Sequence, residues 1–277
     1  MTPDTALTTE GVRPTPRAPA EASAEPLIRF DGVTLELSGH QLYRDLSFTV
    51  APGEFVCILG PSGCGKSTAL RLLGGLLAAT AGRITIDGET PEAAWQRMAF
   101  VFQSPRLAAW RSALDNVLLA RQLRFGEKPD AAARKRAADL LDLVGLSHDT
   151  AKYPRMLSGG ERQRVSIARA LAVDPDIVLM DEPFSALDPT TRQRLRAEII
   201  AIWQKTSKTV LFVTHDVDEA VALADRILLL SNKPTVVREI VRIDAPRPRL
   251  IDHDAELRGL RDHLLRSFAQ MESGNQH

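Results

Sequence analysis

The chain has 277 residues, and its 35 basic and 35 acidic side chains leave no net charge, which argues against a nucleic-acid partner. Its two cysteines, Cys57 and Cys64, are too few for a disulfide framework and favour a reducing compartment. No apolar run approaches the roughly 20 residues that cross a bilayer, and no secretory signal is evident, so any membrane role would need another subunit.

The N-terminal half begins with a stretch of low hydrophobicity. Residues 1–26 are rich in Pro, Thr, Ala and Glu, which predicts a disordered tail. LIRFDGVTLEL and LSFTV then predict two strands, with turns at Ser38-Gly39 and Pro52-Gly53. The short apolar run EFVCILG predicts a buried strand, and a helix follows from Lys66. RITIDG and MAFVFQ are further predicted strands.

The middle of the chain changes to helical spacing. Between 104 and 157, SALDNVLLARQL and DAAARKRAADLLDLVGL predict helices, the second beginning after Asp130 as N-cap and stopping near Gly145. SGGERQRVSIARALAV predicts another helix, and DIVLMDEP and TVLFVTHD predict buried parallel strands. Further helices, the strands RILLLS and VVREIVRI, and a charged helix near 254–269 complete the chain. This alternation predicts an α/β fold with ligands at the carboxyl ends of a mainly parallel sheet.

A glycine-rich loop joins the strand EFVCILG to the following helix and fits G-x-x-x-x-G-K-[ST]. Its backbone N–H groups can surround an anion, and the helix N-terminus adds partial positive charge. Lys66 can reach the β- and γ-phosphates, and the Ser67 hydroxyl can ligate Mg²⁺. A chance glycine turn is the alternative, but spacing and strand–helix context both favour the phosphate loop. The predicted nucleotide-binding residues here are Gly60, Pro61, Ser62, Gly63, Cys64, Gly65, Lys66, Ser67 and Thr68.

Polar residues follow three predicted strands. Asp181 ends an apolar strand and suits a Mg²⁺ contact, and Glu182 stands where a base could activate water. Gln103 ends MAFVFQ and His215 follows TVLFVT, so both fall at the ligand edge of the sheet. The predicted catalytic residues are Glu182, His215, Gln103 and Lys66. The predicted metal contacts are Ser67, Gln103 and Asp181.

In chain order, these motifs resemble those of ATP-binding cassette (ABC) ATPases: the phosphate loop, Gln103, LSGGERQR at 157–164, IVLMDEP at 177–183, SALD at 185–188 and His215. The resemblance covers 27 to about 243, and LSGGE is highly specific. It implies a P-loop NTPase with an ABC-type core: a mainly parallel sheet, an N-terminal antiparallel β element and an inserted α-helical subdomain at about 104–157. The implied divisions are a tail at 1–26, an ABC ATPase domain at 27–245 and a C-terminal helical extension at 246–277.

The same resemblance implies roles for the candidate residues. Glu182 would be the general base and His215 the γ-phosphate sensor, with ATP and Mg²⁺ as cofactors. Gln103 would contact Mg²⁺ and water and link the site to a membrane partner. Leu37 occupies the place where the family usually stacks an aromatic residue on adenine. We expect adenine binding to be weaker or less selective there, because stacking contributes about 1–3 kcal/mol per base in comparable contacts.

LSGGERQR has the spacing of a helix start. Ser158 and Glu161 fit the S-x-x-E capping box. A helix N-terminus built from small residues can bind an anion without lysine. Since the phosphate loop already holds one side of the nucleotide, Ser158, Gly159 and Gly160 are interpreted as the far wall of a partner subunit's site. This interpretation requires a head-to-tail C2 dimer with two ATP at the seam.

The branch of the family is indicated by the run after Gln103. Residue type alone leaves open whether Trp110 is core of the helical block or an exposed anchor for a partner helix. The pattern L-x-x-W-R-x-x-L-D-N-V and the later APRPRL resemble ATPase subunits of the nitrate, sulfonate and taurine importers. This resemblance implies a peripheral protein on the cytoplasmic face of the inner membrane. Its partners would be a second ATPase copy, transmembrane permease subunits and, indirectly, an extracytoplasmic substrate-binding protein.

Two other interpretations compete with a transport ATPase. A soluble ABC ATPase acting on a ribosome or DNA usually carries two cassettes or a coiled-coil insertion, and this chain shows one cassette and no long heptad run. An unrelated P-loop kinase or GTPase would lack LSGGE and the Asp-Glu pair. Co-purification separates the first two, because only the transport ATPase is expected with a polytopic membrane protein.

Overall fold

A computed structural model of the chain describes residues 25–126, 128–185 and 187–273. The predicted tail at 1–26 therefore lies almost wholly outside the described residues. Within these ranges the strands are β1 (Ile28–Leu37), β2 (His40–Val50), β3 (Phe55–Leu59), β4 (Ala81–Ile86), β5 (Met98–Val101), β6 (Ile177–Asp181), β7 (Thr209–Thr214), β8 (Arg226–Leu230) and β9 (Val237–Arg242).

The larger sheet has six strands in the order β5-β6-β7-β3-β8-β9. Its strands are parallel except β9, which pairs antiparallel with β8. Every residue of β3, β7 and β8 is buried, as expected for parallel strands covered on both faces. The predicted α/β class with a mainly parallel sheet is therefore confirmed.

The smaller sheet is antiparallel, in the order β2-β1-β4. Its β1–β2 hairpin turns at Ser38 and Gly39, whose φ angles are 53° and 78°. Left-handed φ at both central residues is the geometry that matches the twist of a hairpin. This sheet is the predicted N-terminal antiparallel element.

The described helices are α1 (Lys66–Leu73), α2 (Ala113–Phe125), α3 (Ala131–Leu143), α4 (Gly159–Leu171), α5 (Pro189–Thr206), α6 (Val217–Leu223) and α7 (Ala255–Ser273). Between β5 and β6 in the chain, α2 and α3 pack on each other and on α4. Asp130 caps α3 by accepting from the Ala133 N–H, as predicted. Among the helices described, none is both long enough and apolar enough to cross a bilayer.

Apolar side chains form two layers on opposite faces of the larger sheet. Along β3, Phe55, Cys57 and Leu59 enter one layer, whereas Val56 and Ile58 enter the other. This alternation buries both faces of the strand, and each large apolar side chain so buried contributes roughly 1.5–3 kcal/mol. The end of β3, and with it the start of the phosphate loop, is therefore fixed from both sides.

The segment after β9 is held to α6 by a buried arginine. The Arg249 guanidinium donates to the backbone carbonyls of Val221, Ala224, Ile243 and Ala245. Burial, with the nearby charge of Arg247, lowers the pKa of Arg249 to about 10. Because one guanidinium bonds carbonyls of both segments, the arginine fixes the start of the C-terminal segment that leads to α7.

Substitutions at two glycines, Gly82 and Gly88, can test how closely the backbones of β1 and β4 approach each other. Gly82 has φ +84°, and a Cβ there would lie 2.3 Å from the Gly32 carbonyl oxygen. Gly88 has a similar φ of +79° but nothing within 4 Å of an added Cβ. We expect Gly88→Ala to lower the free energy of unfolding by about 1 kcal/mol, the cost of a left-handed alanine. Gly82→Ala should cost at least about twice as much, because backbone must move. Equal losses in urea unfolding would contradict the close approach.

Candidate functional site

The phosphate loop runs from the end of β3 to the start of α1. Gly65 precedes α1 with φ 104°, and no side chain caps the helix. The first N–H groups of α1 are therefore available to an anion. A Cβ on Gly65 would lie 2.9 Å from the Tyr43 ring, and the Tyr43 hydroxyl donates to the Gly65 carbonyl. Glycine is thus required at this position by both its φ and its neighbour.

Lys66 is the cation of this loop and is almost fully buried. Its Nζ donates to the carbonyl oxygens of Gly60 at 2.8 Å and Pro61 at 3.0 Å. It also lies 4.0 Å from Glu182 Oε1. The ammonium is therefore fixed between the loop backbone and the acidic end of β6.

Two side chains whose oxygen atoms could bind a metal ion lie together beside the phosphate loop. The Ser67 hydroxyl donates to Asp181 Oδ1 at 2.6 Å, although 114 residues separate them. Burial raises the pKa of Asp181, while the Ser67 hydrogen bond opposes that shift. Among the described residues, no three His, Cys, Asp or Glu side chains are placed so that together they could hold a metal ion. A hydroxyl and one carboxylate still fit Mg²⁺, which usually takes one or two carboxylates and completes its shell with phosphate and water.

Glu182 follows β6 in a strained conformation. Its φ is 43°, in the left-handed region that a glutamate rarely adopts. Its N–H donates to the Val213 carbonyl of β7 at 3.0 Å. Its carboxylate lies 3.1 Å from His215 Nδ1 and reaches toward Lys66 on its other oxygen. Glu182, His215 and Lys66, predicted from three separate segments, are therefore brought together.

Gln103 lies two residues beyond the end of β5, where its side chain contacts the acidic loop after β6. Gln103 Nε2 donates to the Ser185 hydroxyl at 2.9 Å, and that hydroxyl donates to the Glu182 carbonyl at 3.1 Å. Gln103 thus contacts the acidic loop, while Ser67 and Asp181 contact each other. Its predicted role as a metal contact stays a prediction.

The loop that carries His215 is supported by a charged network that sequence reasoning missed. The buried Thr214 hydroxyl donates to Glu219 Oε2 at 2.6 Å and accepts from the Asp216 N–H. Arg192 and Arg196 of α5 reach the carboxylates of Asp216 and Glu219. Burial raises the pKa of Glu219, and the Thr214 hydrogen bond and the charge of Arg196 partly oppose that shift. Asp216 and Glu219, two of the three acidic residues in THDVDEA, were a signal for such partners.

An open cleft of about 900 Å³ lies over the phosphate loop. Its lining includes most of the predicted loop and also Leu37 and Glu182. Gly60, Pro61 and Cys64 are buried and do not line it. Burial raises the pKa of the Cys64 thiol, in keeping with a structural cysteine. The cleft is also lined by residues without a predicted role, which are His40, Gln41, Leu42, Arg71, Lys233 and Pro234.

Ser158, Gly159 and Gly160 lie at the start of α4, and none of them lines the described cleft. The capping box is present: the Ser158 hydroxyl accepts from the Glu161 N–H, and Glu161 Oε2 accepts from the Ser158 N–H. A Cβ on Gly160 would lie 2.6 Å from Thr191 of α5, whereas one on Gly159 would meet only Leu187, at 3.5 Å, and Arg162, at 3.9 Å. Gly160 therefore serves helix packing, and Gly159 is the more open of the two.

Comparison with known proteins decides the family. The family described as ABC transporter matches residues 43–185, from Tyr43 to Ser185, which includes the phosphate loop, LSGGERQR and the acidic end of β6. This chain belongs to the ABC transporter family. The resemblance inferred from the motifs is confirmed, and the protein is an ATP-binding ATPase of that family.

Similar proteins include ATPases of importers. An aliphatic sulfonates import ATP-binding protein of Streptomyces avermitilis is 42% identical over 88% of this chain and 89% of that protein. A nitrate import ATP-binding protein of Synechococcus elongatus is 40% identical over 82% of this chain and 85% of that protein. A solved dimeric ATP-binding cassette in a post-hydrolysis state, bound to ADP and Pi, matches with a TM-score of 0.69 and 31% identity, over 79% of this chain and 100% of that chain.

The predicted role of Glu182 as the base in ATP hydrolysis can be tested by substitution. Glu182→Gln keeps the side-chain shape but removes the carboxylate that is predicted to act as the base, so we expect the turnover number for ATP to fall about 100-fold or more. ATP binding should persist, because the phosphate loop is untouched. Glu89→Gln, on an exposed turn, is the matched control and should hydrolyse ATP at the wild-type rate. Near-normal phosphate release by Glu182→Gln would remove Glu182 from the base role.

Proposed function

We propose that this protein is the ATP-hydrolysing subunit of an importer that moves a small anionic solute, of the nitrate, sulfonate or taurine type, through separate permease subunits. Its place is peripheral, on the cytoplasmic face of the inner membrane, and an extracytoplasmic substrate-binding protein delivers the solute. The names of the sulfonate and nitrate relatives support import and an anionic solute. The observation that carries the proposal is the exposed side chain of Trp110, in the segment that follows Gln103.

Trp110 is 78% exposed in the turn before α2, so it is not part of the core. The turn is rigid, because the buried Asn116 side chain bonds both the N–H and the carbonyl of Ala108 and the carbonyls of Arg111 and Ser112. The Ala113 N–H donates to the Lys152 carbonyl, which brings the partly exposed Tyr153 to the neighbouring segment. An exposed tryptophan on a rigid turn, with an exposed tyrosine on the adjoining segment, is suited to anchor a short partner helix.

The nucleotide chemistry follows from the residues around the cleft. The phosphate loop and Lys66 bind the phosphates of ATP, and Ser67 and Asp181 would hold Mg²⁺, which neutralises charge developing on the phosphoryl oxygens. Glu182 accepts a proton from the attacking water. His215, within hydrogen-bond distance of Glu182, contacts the γ-phosphate and orients that carboxylate. Catalysis here is mainly positioning and electrostatic stabilisation.

The site needs donors on the side of the γ-phosphate away from the phosphate loop. Ser158 and Gly159 present a helix N-terminus but do not line the cleft of their own subunit. A C2 dimer places each such helix start against the partner's ATP. ATP then favours the closed dimer and hydrolysis releases it, and this difference in affinity is what drives the permease. The dimeric form of the structural relative supports this arrangement.

Dimerisation is tested in the Glu182→Gln background, where ATP is retained. We expect MgATP to convert this variant to a dimer in size-exclusion chromatography with light scattering. Adding Ser158→Arg should abolish the dimer while each monomer still binds ATP, because the bulky side chain blocks the helix start. Ser38→Arg, on the β1–β2 turn, serves as the control. A dimer that survives Ser158→Arg would place the seam elsewhere.

The import role is tested through Trp110. We expect the wild-type chain to co-purify with a polytopic permease when both are produced together, and Trp110→Glu to lose at least about tenfold in recovery. The isolated variant should keep wild-type ATP hydrolysis. Leu250→Glu, at a residue that is 63% exposed, is the control and should leave recovery intact. Recovery with ribosomes instead of a permease would favour a soluble ABC ATPase acting on a macromolecular assembly.

A further inference from the structure

We infer that Lys233 is a second cationic contact for the nucleotide phosphates, supplied by the loop between β8 and β9. Lys233 lines the same cleft as Ser62, Gly63 and Lys66. It follows β8 at the carboxyl edge of the larger sheet, where ligands of parallel sheets bind. The inference rests on the proposed use of this cleft as the ATP site, and it does not depend on the import role.

The β8–β9 loop is tied to the phosphate loop close to Lys233. Thr235 is fully buried, and its hydroxyl donates to the Cys64 carbonyl at 2.8 Å. Its N–H donates to the Leu42 carbonyl, and the Arg44 N–H donates to its carbonyl. Two residues after Lys233, the backbone is therefore fixed against both β2 and the phosphate loop.

The other side of the loop is fixed as well. The Ser231 N–H donates to the Val236 carbonyl, and the Ser231 hydroxyl accepts from the Val236 N–H, which closes the loop at its base. The Asn232 side chain donates to the Met271 carbonyl of α7 at 2.6 Å. The backbone at Lys233 is thus held from both directions, so only the side chain has to become ordered when a ligand binds.

The charges that line the cleft favour a phosphate ligand. The charged residues that line the described cleft are Lys66, Arg71, Lys233 and Glu182, so cations outnumber carboxylates. Lys233 is exposed and, in the part of the chain that the structure describes, forms no ion pair. Burial raises the pKa of the Cys64 thiol, and the charges of Lys66 and Lys233 both oppose that shift, which places the Lys233 ammonium near the phosphate loop. A polyphosphate is the ligand that such a cation would attract.

The experiment measures dissociation constants for MgATP, MgADP and adenosine by titration calorimetry. Lys233→Met should weaken both nucleotides about fivefold, as expected for losing one solvent-exposed charge pair, and should leave adenosine unchanged. Lys233→Arg should bind like the wild type, and Lys233→Glu should lose more than Lys233→Met. The fivefold loss should shrink as salt rises. Lys135→Met, on exposed α3 and paired with Asp139, is the matched control and should bind normally.

Two results would overturn the inference. One is an unchanged affinity of Lys233→Met for both nucleotides; the other is an equal loss for adenosine, which would mean a disturbed cleft and no phosphate contact. The variant Lys66→Ala distinguishes a failure of the Lys233 inference from a failure of the proposed ATP site. If Lys66→Ala loses ATP and Lys233→Met does not, only the role of Lys233 fails. If neither variant loses ATP, the cleft is not the ATP site.

Discussion

The geometry of the site depends on a buried tyrosine behind the phosphate loop. The Tyr43 ring occupies the space that a Cβ of Gly65 would need, and its hydroxyl donates to the Gly65 carbonyl. Burial raises the pKa of this phenol, so the hydroxyl stays a donor. β2 carries Tyr43 and also pairs with Thr235, whose hydroxyl binds the Cys64 carbonyl. The Gly65 carbonyl is thus held by β2 and the Cys64 carbonyl by the β8–β9 loop, while the first N–H groups of α1 remain for an anion.

Much of the site could be predicted because a parallel sheet collects strand ends at one edge. Local patterns located β3, β6 and β7, and the rule for their carboxyl ends was enough to place Lys66, Glu182 and His215 together. The same rule applied to β8 would have indicated Lys233, but one lysine after an apolar strand is an ordinary surface residue unless the cleft beside it is known.

The remaining contacts of the site could not be predicted from the sequence, because they join distant segments and leave no local pattern. Gln103 meets Ser185 across 82 residues, and Arg192 meets Asp216 across 24. LSGGERQR shows a further limit. Both glycines are predicted ligand-binding positions, and the structure adds a packing role for Gly160, which leaves room for Thr191 of α5. That packing role depends on where α5 lies, which no local pattern indicates.

Hydrogen bonds on both sides of the strained Glu182 connect the acidic loop to the rest of the fold. Its N–H is held by β7 and its carbonyl by Ser185, so the backbone on both sides of a left-handed residue is fixed. The Ser185 hydroxyl also accepts from Gln103, which precedes the rigid Trp110 turn. A displacement of that turn by a partner helix would therefore act on the backbone that aims the Glu182 carboxylate. Conversely, a change at Glu182 would alter what Gln103 can contact, since one hydroxyl serves both. The proposed coupling between permease and hydrolysis thus needs no long relay, only a shift in two hydrogen bonds.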